Sequence, residues 1–267
     1  MRARKRFGQH FLHHRAILAR IAEALGPAPG QLVLEIGPGQ GALTASLVER
    51  GARVVAIEKD RDLVPLVRER LPDVTVVEGD ALELDWRAAA GIGPDDDLLV
   101  TGNIPYNITT PLLDRALTPP RPTRIVFLVQ KEVAERIAAP PGSKTYGALS
   151  VGVQAVARIE KLFAVPAGAF HPPPKVDSAV IRLSPLAEPL VDNDELPRFR
   201  RLVVGLFGFR RKQLVRSLRE LTGWPADRVA GAIQAAGLAP DIRAETIAPE
   251  GFQRLLVALI DRDWGGG

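Results

Sequence analysis

The residues most suggestive of chemistry are Asn103, Ile104, Pro105 and Tyr106, which follow directly after an apolar run. The amide oxygen of Asn103 and the carbonyl of Ile104 could together accept both hydrogens of an exocyclic amine. Pro105 locks its own φ and holds the preceding residue extended, which aims that carbonyl. Tyr106 offers a ring for a nucleobase, and such stacking is worth roughly 1 to 3 kcal/mol per base. The four residues predict a clamp for the amino group of a base.

The reaction that suits such a clamp is methyl transfer to the amine. An aromatic amine is a weak nucleophile, because its lone pair is delocalised into the ring. When both N–H bonds point at acceptors, the nitrogen becomes more tetrahedral and can attack a sulfonium methyl group in line. Catalysis would then come mainly from positioning and electrostatics, without a strong general base. The same residues alone would more often form a turn with a buried tyrosine, so the rest of the chain must provide the context.

A glycine-rich loop, Gly37-Pro38-Gly39-Gln40-Gly41, follows the first apolar run, and Glu58 ends the second run about twenty residues later. This arrangement is typical of a nucleotide-binding crevice at the carboxyl ends of parallel strands. Glycines let the backbone approach a ligand closely, and Glu58 could accept both ribose hydroxyls. The spacing from Gly37 to Ala42 also satisfies the dinucleotide fingerprint, so NAD is an alternative ligand.

Two further carboxylates favour S-adenosylmethionine over a dinucleotide. Glu35 precedes the glycines, where it would oppose a pyrophosphate but favour a cationic amino-acid tail. Asp80, followed by Ala81 at the end of the third run, could accept a hydrogen bond from an adenine amino group. Acceptors at three successive strand ends suit a ligand that carries an ammonium, a ribose and an adenine. Glu58 and Asp80 could each instead be an ordinary solvated carboxylate at a strand end.

Short apolar runs alternate with amphipathic stretches, which predicts a doubly wound α/β fold. The predicted strands are 32–37, 53–58, 74–79, 98–103 and 124–129. Two later runs, 157–165 and 176–184, flank a proline-rich turn and could pair antiparallel at one sheet edge. A proline-rich acidic stretch after Ser184 indicates a linker, and only helical periodicity follows it. We therefore expect an α/β domain over 1–185, including a basic N-terminal arm, and a small all-helical domain over 186–267.

Composition excludes several classes of protein. The 267 residues contain no cysteine, and the four histidines form no ligand pattern, so neither disulfides nor a metal site is expected. No apolar run approaches the roughly 20 residues that span a bilayer. The basic N-terminus lacks a signal-type apolar core, which favours a cytoplasmic protein.

Basic residues gather near both ends of the chain, and the middle is acidic. The formal net charge is +4 and the sequence pI is about 9.7. The clusters suit a polyanion such as RNA, although a solvated arginine-rich helix face would have the same composition. The candidates for phosphate contacts are Arg4, Lys5, Arg6, Arg210, Arg211 and Lys212.

Five stretches together resemble the ribosomal RNA adenine N6,N6-dimethyltransferases, especially the type that acts on small-subunit rRNA. They are FGQHFL, EIGPGQGALT, NIPYNITTP, QKEVAERI and FHPPPKVDSAVIRL. The resemblance extends from Arg4 to about Phe252. It implies a Rossmann-like, S-adenosylmethionine-dependent methyltransferase domain and a helical C-terminal domain. It also implies dimethylation of N6 on two adjacent adenosines near the 3′ end of 16S rRNA in the small (30S) subunit. We expect the protein to act as a monomer.

Matching positions imply roles for individual residues. The cofactor contacts are His10, Leu12, Gly37, Gly39, Glu58, Asp80 and Asn103. The target adenine would be sandwiched between Tyr106 and Phe170. His10 stands where the family most often has asparagine, but either side chain can make one hydrogen bond.

Three alternatives remain open. Erm-type enzymes, which dimethylate one adenosine in 23S rRNA, are related, but FRRKQLVRSL and RAETIAPEGF resemble the small-subunit type. Amino-directed DNA methylases share the strand-end corner but lack this C-terminal domain. The protein could also act chiefly as a ribosome-assembly factor that binds immature small subunits.

Overall fold

Strands and helices alternate through the first half of the chain in the computed structural model, which describes residues 9–209 and 211–266. The strands are β1 Phe11–Leu12, β2 Leu32–Ile36, β3 Arg53–Glu58, β4 Thr75–Glu78, β5 Leu99–Asn103, β6 Arg124–Gln130, β7 Ala157–Val165, β8 Phe170–His171 and β9 Ser178–Pro185. The helices are α1 Arg15–Leu25, α2 Ala42–Val48, α3 Val64–Arg70, α4 Trp86–Ala90, α5 Thr109–Ala116, α6 Lys131–Ile137, α7 Ala148–Gln154, α8 Leu196–Gly208, α9 Leu214–Thr222, α10 Ala226–Ala235 and α11 Pro249–Ile260.

The central sheet has the strand order β4-β3-β2-β5-β6-β9-β7. Neighbours from β4 through β6 are parallel, and β9 runs antiparallel to β6. The side chains of β2 are buried along its whole length, which explains its continuous apolar sequence. The predicted α/β fold is confirmed. The two late runs of the sequence are neighbours at one sheet edge, as β9 and β7.

Parallel pairing aligns the carboxyl ends of the strands. Ile36 of β2 lies opposite Ile57 of β3 and Gly102 of β5, and Glu58 lies opposite Glu78 of β4. The residues that follow these positions therefore emerge at the same sheet edge, which is where open α/β sheets bind their ligands.

A second, two-stranded sheet brings the start of the described chain to the segment before β9. In it, β1 pairs antiparallel with β8, so Phe11 faces His171 and Leu12 faces Phe170. Leu12 and Phe170 are both buried and belong to the hydrophobic core of this part of the protein. This sheet was not predicted from the sequence.

The described residues divide into two compact units. One comprises the residues up to Ala134 together with Ile159–Pro185, and the other comprises Glu135–Arg158 and the residues from Leu186 onward. This differs from the predicted domains, because 135–158 group with the C-terminal unit and not with 1–185.

Contacts around α7 explain this difference. The hydroxyl of buried Tyr146 donates to the Ile247 carbonyl over 2.8 Å, and α7 packs against α8 and α11. Leu190, in the predicted linker, donates its backbone N–H to the carbonyl of Ala155 at 2.9 Å. The segment after Ser184 is thus attached to the C-terminal unit and is not a free linker.

The C-terminal unit is built mainly from α8 to α11. In α8, Phe199, Leu202, Val203 and Leu206 are buried at helical spacing. The helix α9 is capped after Thr222 by Gly223, whose φ of 70° lies in the left-handed region. The predicted helical periodicity is therefore confirmed. Among the described residues, the helices are too short or too polar to cross a membrane.

Candidate active site

A cavity of about 970 Å³ lies at the carboxyl ends of the parallel strands. All of the predicted cofactor residues line it, as does the strand-end corner. These lining residues are His10, Leu12, Glu35, Gly37, Gly39, Glu58, Asp80, Ala81, Asn103, Ile104, Pro105 and Tyr106. The structure thus brings together residues from four strand ends and from the N-terminal segment.

The glycine loop between β2 and α2 follows a path that other residues could not easily adopt. Gly37 and Gly39 have φ values of 68° and 59°. A Cβ atom on Gly39 would also lie 3.1 Å from the ring of Phe11. The backbone N–H of Gly39 donates to Glu58 Oε2 at 3.0 Å. The loop is therefore tied to the end of β3 and open to the cavity.

Glu58 is a buried carboxylate held by the backbone. Its Oε1 accepts from the N–H of Asp60 at 2.8 Å, and its Oε2 accepts from Gly39. Burial raises the pKa of Glu58, and these two hydrogen bonds oppose the rise. Because each carboxylate oxygen has two lone pairs, the group can still accept hydrogen bonds from a diol in the cavity.

Glu35 is more deeply buried, with 1% of its surface exposed. Its Oε2 has no hydrogen-bond partner among the described residues. Burial raises the pKa of Glu35 to about 7; the nearby Thr44 hydroxyl opposes the rise, and the Glu58 carboxylate adds to it. An unpaired buried carboxylate oxygen beside a cavity is the acceptor that a cationic ligand group would satisfy.

Asp80 stands directly after β4 with both oxygens in use. One accepts from the N–H of Leu82 at 3.0 Å, and the other accepts from the Lys59 ammonium. Burial alone would raise the pKa of Asp80, but the hydrogen bonds from Lys59 and Leu82 lower it. The group is therefore an ionised carboxylate at the cavity, and an adenine amine would share it with Lys59. Lys59 was not predicted from the sequence, because it follows Glu58 without any motif of its own.

Asn103 ends β5 with its amide fixed in one orientation. Its Nδ2 donates to the backbone carbonyl of His10 at 2.7 Å. Turning the amide over would place two oxygens against each other, so the hydrogen bond determines which end is which. The amide oxygen is thus the end left to accept from a ligand.

Ile104 and Pro105 continue the corner. Ile104 is buried and donates its N–H to the Leu128 carbonyl of β6 at 3.0 Å. Pro105 has φ −55° and ψ 133°, and its carbonyl accepts from the N–H of Ile108 at 3.1 Å. The corner is thus anchored to the sheet on one side and to a short 3₁₀ turn, Tyr106–Ile108, on the other.

Tyr106 presents a partly buried ring beside this corner. Its hydroxyl lies 2.7 Å from the Ser178 hydroxyl, and its ring centroid lies 5.8 Å from that of His10, with 29° between the planes. Burial raises the pKa of Tyr106, so the phenol is neutral at physiological pH. Ser178 was not recognised in the sequence, since it lies 72 residues away.

The N-terminal segment from Gln9 to Leu12 lies along the cavity. His10 Nδ1 is 2.7 Å from the carbonyl oxygen of Pro172, which can only accept, so Nδ1 carries the proton. Gln9 Nε2 donates to Asp60 Oδ2 at 2.9 Å. The predicted cofactor position of His10 is thus at the cavity, and its ring also packs against Tyr106.

Phe170 lies in the core, next in sequence to His171, which lines the cavity. Phe170 itself is 3% exposed and is not among the described residues that line the cavity. The predicted sandwich of a base between Tyr106 and Phe170 stays a prediction, because Phe170 is not exposed to the cavity in this arrangement. The reason is the β1–β8 pairing, which buries Phe170 against Leu12.

The predicted RNA contacts are only partly described. Arg4, Lys5, Arg6 and Arg210 lie outside the described residues. Arg211 and Lys212 are exposed in the C-terminal unit, where Lys212 pairs with Glu220 at 2.9 Å. No cluster of potential metal ligands occurs within residues 9–209 and 211–266.

The cavity fits S-adenosylmethionine. The unpaired Glu35 oxygen suits an ammonium group, Glu58 suits a ribose diol, and Asp80 suits an adenine amine. A phosphate in this cavity would meet the carboxylates of Glu35, Glu58 and Asp80, although Arg15, Lys59 and Arg70 also line it. The arrangement therefore argues against the dinucleotide alternative.

Comparisons with known proteins agree with this geometry. Proteins named ribosomal RNA small subunit methyltransferase A are similar to this chain. The one from Geobacter sulfurreducens is 43% identical over 97% of this chain and 96% of its own length. The one from Pseudomonas aeruginosa is 44% identical over 95% of this chain and 93% of its own length.

Two solved structures are similar over nearly the whole chain. A dimethyladenosine transferase from Plasmodium falciparum has a TM-score of 0.82 and 26% identity, covering 95% of this chain and 98% of its own. The 23S rRNA methyltransferase ErmE has a TM-score of 0.70 and 32% identity, covering 94% of this chain and 99% of its own. The fold is therefore that of a Rossmann-like methyltransferase.

The sequence model of the family described as ribosomal RNA adenine dimethylase matches residues 1–259. Its members use S-adenosylmethionine, which is accordingly the cofactor of this protein, and ribosomal RNA is the substrate. The chain belongs to the ribosomal RNA adenine dimethylase family.

Proposed function

We propose that this protein dimethylates N6 of two adjacent adenosines near the 3′ end of 16S rRNA in the small ribosomal subunit. The orientation of Asn103 carries the chemical part of this proposal, because its nitrogen is held by His10 and its oxygen is left for an amine. The small-subunit assignment is supported by the relatives named above, which align with this chain over more than nine tenths of both lengths.

S-adenosylmethionine supplies an electrophilic sulfonium methyl group when it is bound. Glu35 would hold its ammonium group, Glu58 its ribose hydroxyls and Asp80 its adenine amine. The walls around it would be completed by Gly37, Gly39, Ala81, His10 and Leu12. In this proposal the residues of the chain orient the reactants and stabilise charge, and they do not react covalently.

The target amine would lie at the end of β5. Asn103 Oδ1 and the Ile104 carbonyl would accept its two hydrogens, which localises the lone pair on nitrogen. Positive charge develops on that nitrogen during transfer, and both oxygens stabilise it. The methylated ammonium-like nitrogen is strongly acidic and loses its proton to water, so a strong base is not required.

The target base would stack on the neutral ring of Tyr106. A base inside a duplex cannot reach this corner, so the adenosine must be flipped out or lie in a loop. For a base to be enclosed from its other side by Phe170, that residue would have to leave the core. Tyr106 is thus the primary stacking surface in this proposal.

The C-terminal unit is proposed to bind RNA phosphates through Arg211 and Lys212, together with Arg210 and the N-terminal Arg4, Lys5 and Arg6. We propose that the protein acts as a monomer on the 30S subunit, without a metal ion, in the cytoplasm where small subunits are assembled.

Incubation with labelled S-adenosylmethionine tests the substrate. Undermethylated small subunits and large subunits are supplied separately, and the modified adenosines are mapped. We expect label on N6 of two adjacent adenosines in small-subunit rRNA. Label confined to large-subunit rRNA would favour the Erm-type alternative. The 32% identity to ErmE is the observation behind that alternative.

The assembly-factor alternative is separated by the variant Asn103→Ala. The proposal expects a loss of methyl transfer of about 100-fold or more, because a positioned transition-state acceptor is removed. Binding to undermethylated small subunits should be retained. Asn193→Ala, an exposed asparagine of the C-terminal unit, is the control and should keep both properties. Full activity of Asn103→Ala would contradict the proposed mechanism.

A further inference from the structure

Tyr106 is fixed at both ends of its side chain. Its backbone begins the 3₁₀ turn after Pro105, and its hydroxyl lies 2.7 Å from the hydroxyl of Ser178. Ser178 is fully buried and is the first residue of β9. It is not among the described residues that line the cavity, so it can act on a ligand only through Tyr106.

Ser178 is itself held in place by the sheet. It pairs with Gln130 in the antiparallel register of β6 and β9. The preceding residue, Asp177, accepts from the N–H of Lys131 at 3.0 Å and from the N–H of Ala167 at 3.1 Å. The hydroxyl at the far end of the Tyr106 ring is therefore tied to a rigid part of the molecule.

Stacking alone does not explain why residue 106 carries a hydroxyl. A phenylalanine ring stacks on a base as readily as a tyrosine ring does. Phenylalanine would, however, leave the buried Ser178 hydroxyl without the partner that the structure gives it, and an unpaired buried hydroxyl is unfavourable. The two hydroxyls thus act as a pair, and the pair restricts rotation of the ring about its side-chain torsions.

We infer that Ser178 is a positioning residue for methyl transfer, which sets the plane of the Tyr106 ring and hence the place of the target amine relative to Asn103. The inference rests on the proposed function, in which Tyr106 is the surface for the target base. Reacting atoms must be placed closely, since a misplacement of about 1 Å can cost on the order of 100-fold in rate.

Two single variants and their combination test this inference. Tyr106→Phe and Ser178→Ala each remove the same hydrogen bond from opposite sides. Each is expected to lower kcat on undermethylated small subunits by about tenfold, the change that corresponds to one hydrogen bond. The KM for S-adenosylmethionine should stay unchanged. The double variant should be no slower than either single variant, because the bond can be lost only once.

Tyr106→Ala separates failure of this inference from failure of the proposed function. If Tyr106→Ala is inactive while Tyr106→Phe and Ser178→Ala keep the full kcat, the positioning role is overturned and the stacking role stands. If Tyr106→Ala is fully active, the base does not stack on Tyr106 and both are overturned. Losses that multiply in the double variant would also overturn the inference.

A structural effect of Ser178→Ala is detected separately. Thermal unfolding of each variant is measured with and without S-adenosylmethionine. If Ser178→Ala fails to fold, Tyr106→Phe decides the question alone, because it keeps the ring and the buried serine. A lowered kcat in Tyr106→Phe at an unchanged unfolding midpoint supports positioning, and an unchanged kcat overturns it.

Discussion

Glu35 and Glu58 line the same cavity, but the chain stabilises their charges differently. Glu58 receives two backbone hydrogen bonds, from Gly39 and Asp60. Glu35 keeps one oxygen without a partner among the described residues, and burial raises its pKa to about 7. A cation at this position would favour the ionised form of Glu35. The site therefore gives up folding stability in order to bind a cationic group.

The variant Glu35→Gln measures how much folding stability the buried carboxylate removes. The carboxyl group has a pKa of 4.5 when exposed and about 7 in the folded protein. Ionisation of this buried group therefore lowers the stability of the folded protein progressively as the pH rises from 4.5 to 7, and the full loss is reached above pH 7. Glu35→Gln should therefore be more stable than the parent protein at pH 8, by about 3 kcal/mol, at 1.36 kcal/mol per pKa unit. The difference should shrink towards pH 4.5 in urea unfolding.

Glu58→Gln is the matched comparison for that experiment. Burial raises the pKa of Glu58 as well, but glutamine would place an NH₂ group against one of its two backbone N–H donors, so any gain in stability at pH 8 should be smaller than for Glu35→Gln. Adding S-adenosylmethionine should reduce the difference between the parent protein and Glu35→Gln, because the ligand binds the ionised form. If the stability of the parent protein and that of Glu35→Gln depend on pH in the same way, Glu35 is ruled out as the titrating group.

At the level of the strands, the site depends on how closely β2 and β5 approach. Gly102 of β5 lies next to Ile36 of β2, and a Cβ atom on Gly102 would lie 2.5 Å from the Ile36 carbonyl oxygen. That oxygen belongs to the backbone and cannot move aside alone. Gly102 also precedes Asn103, so a change in strand spacing would displace the amide.

Gly102→Ala should therefore destabilise the protein and lower its activity. We expect a loss of about 2 kcal/mol or more, within the range for overpacking. Gly152→Ala in α7 is the control, since no atom lies within 4 Å of its new Cβ. It should be neutral or stabilising by up to about 1 kcal/mol. Urea unfolding and the rate of methyl transfer are measured for both. Equal stability of the two variants would contradict the close approach of β2 and β5.

The buried strands were the elements that the sequence predicted best. The predicted run 53–58 coincides with buried β3, and most of the other predicted strands differ by a few residues at most. The run 157–165 coincides with β7, although only the first and last residues of that edge strand are buried. Continuous burial produces an uninterrupted apolar run, which is a strong signal. The pair β1 and β8 was missed because two residues carry no periodicity and the partners are distant in sequence. The grouping of 135–158 was missed because an amphipathic helix does not indicate which unit it packs against.

That the site residues lie together at one edge of the sheet was predictable for a related reason. Parallel strands place their carboxyl ends together, so Glu58, Asp80 and Asn103 could be assigned to one edge from their order in the chain. The partners of these residues could not be assigned. Lys59 reaches Asp80 and the His10 carbonyl reaches Asn103 through tertiary contacts without a local motif. The burial of Phe170 could not be predicted either, because an aromatic residue beside prolines suits a core as well as a ligand site.

Across the whole molecule, charge is distributed unevenly, and the C-terminal unit carries exposed basic residues. Lys212 pairs with Glu220 at 2.9 Å, and both side chains are largely exposed. A surface ion pair contributes little, so a phosphate group could replace Glu220 at small cost. Arg211 is exposed beside it. This surface is therefore suited to a contact with an RNA backbone that depends on salt.

Arg211→Glu should weaken binding to ribosomal RNA, and the salt dependence shows why. Each phosphate contact contributes about 0.9 to the slope of log K against log salt concentration, so loss of one contact should flatten the slope by about one. Arg53→Glu is the control, because it changes the net charge by the same amount. Arg53 is exposed and begins β3, at the other end of that strand from Glu58. The control should leave the slope unchanged. An equal effect of both variants would mean that the RNA responds to the net charge of the protein and not to this surface.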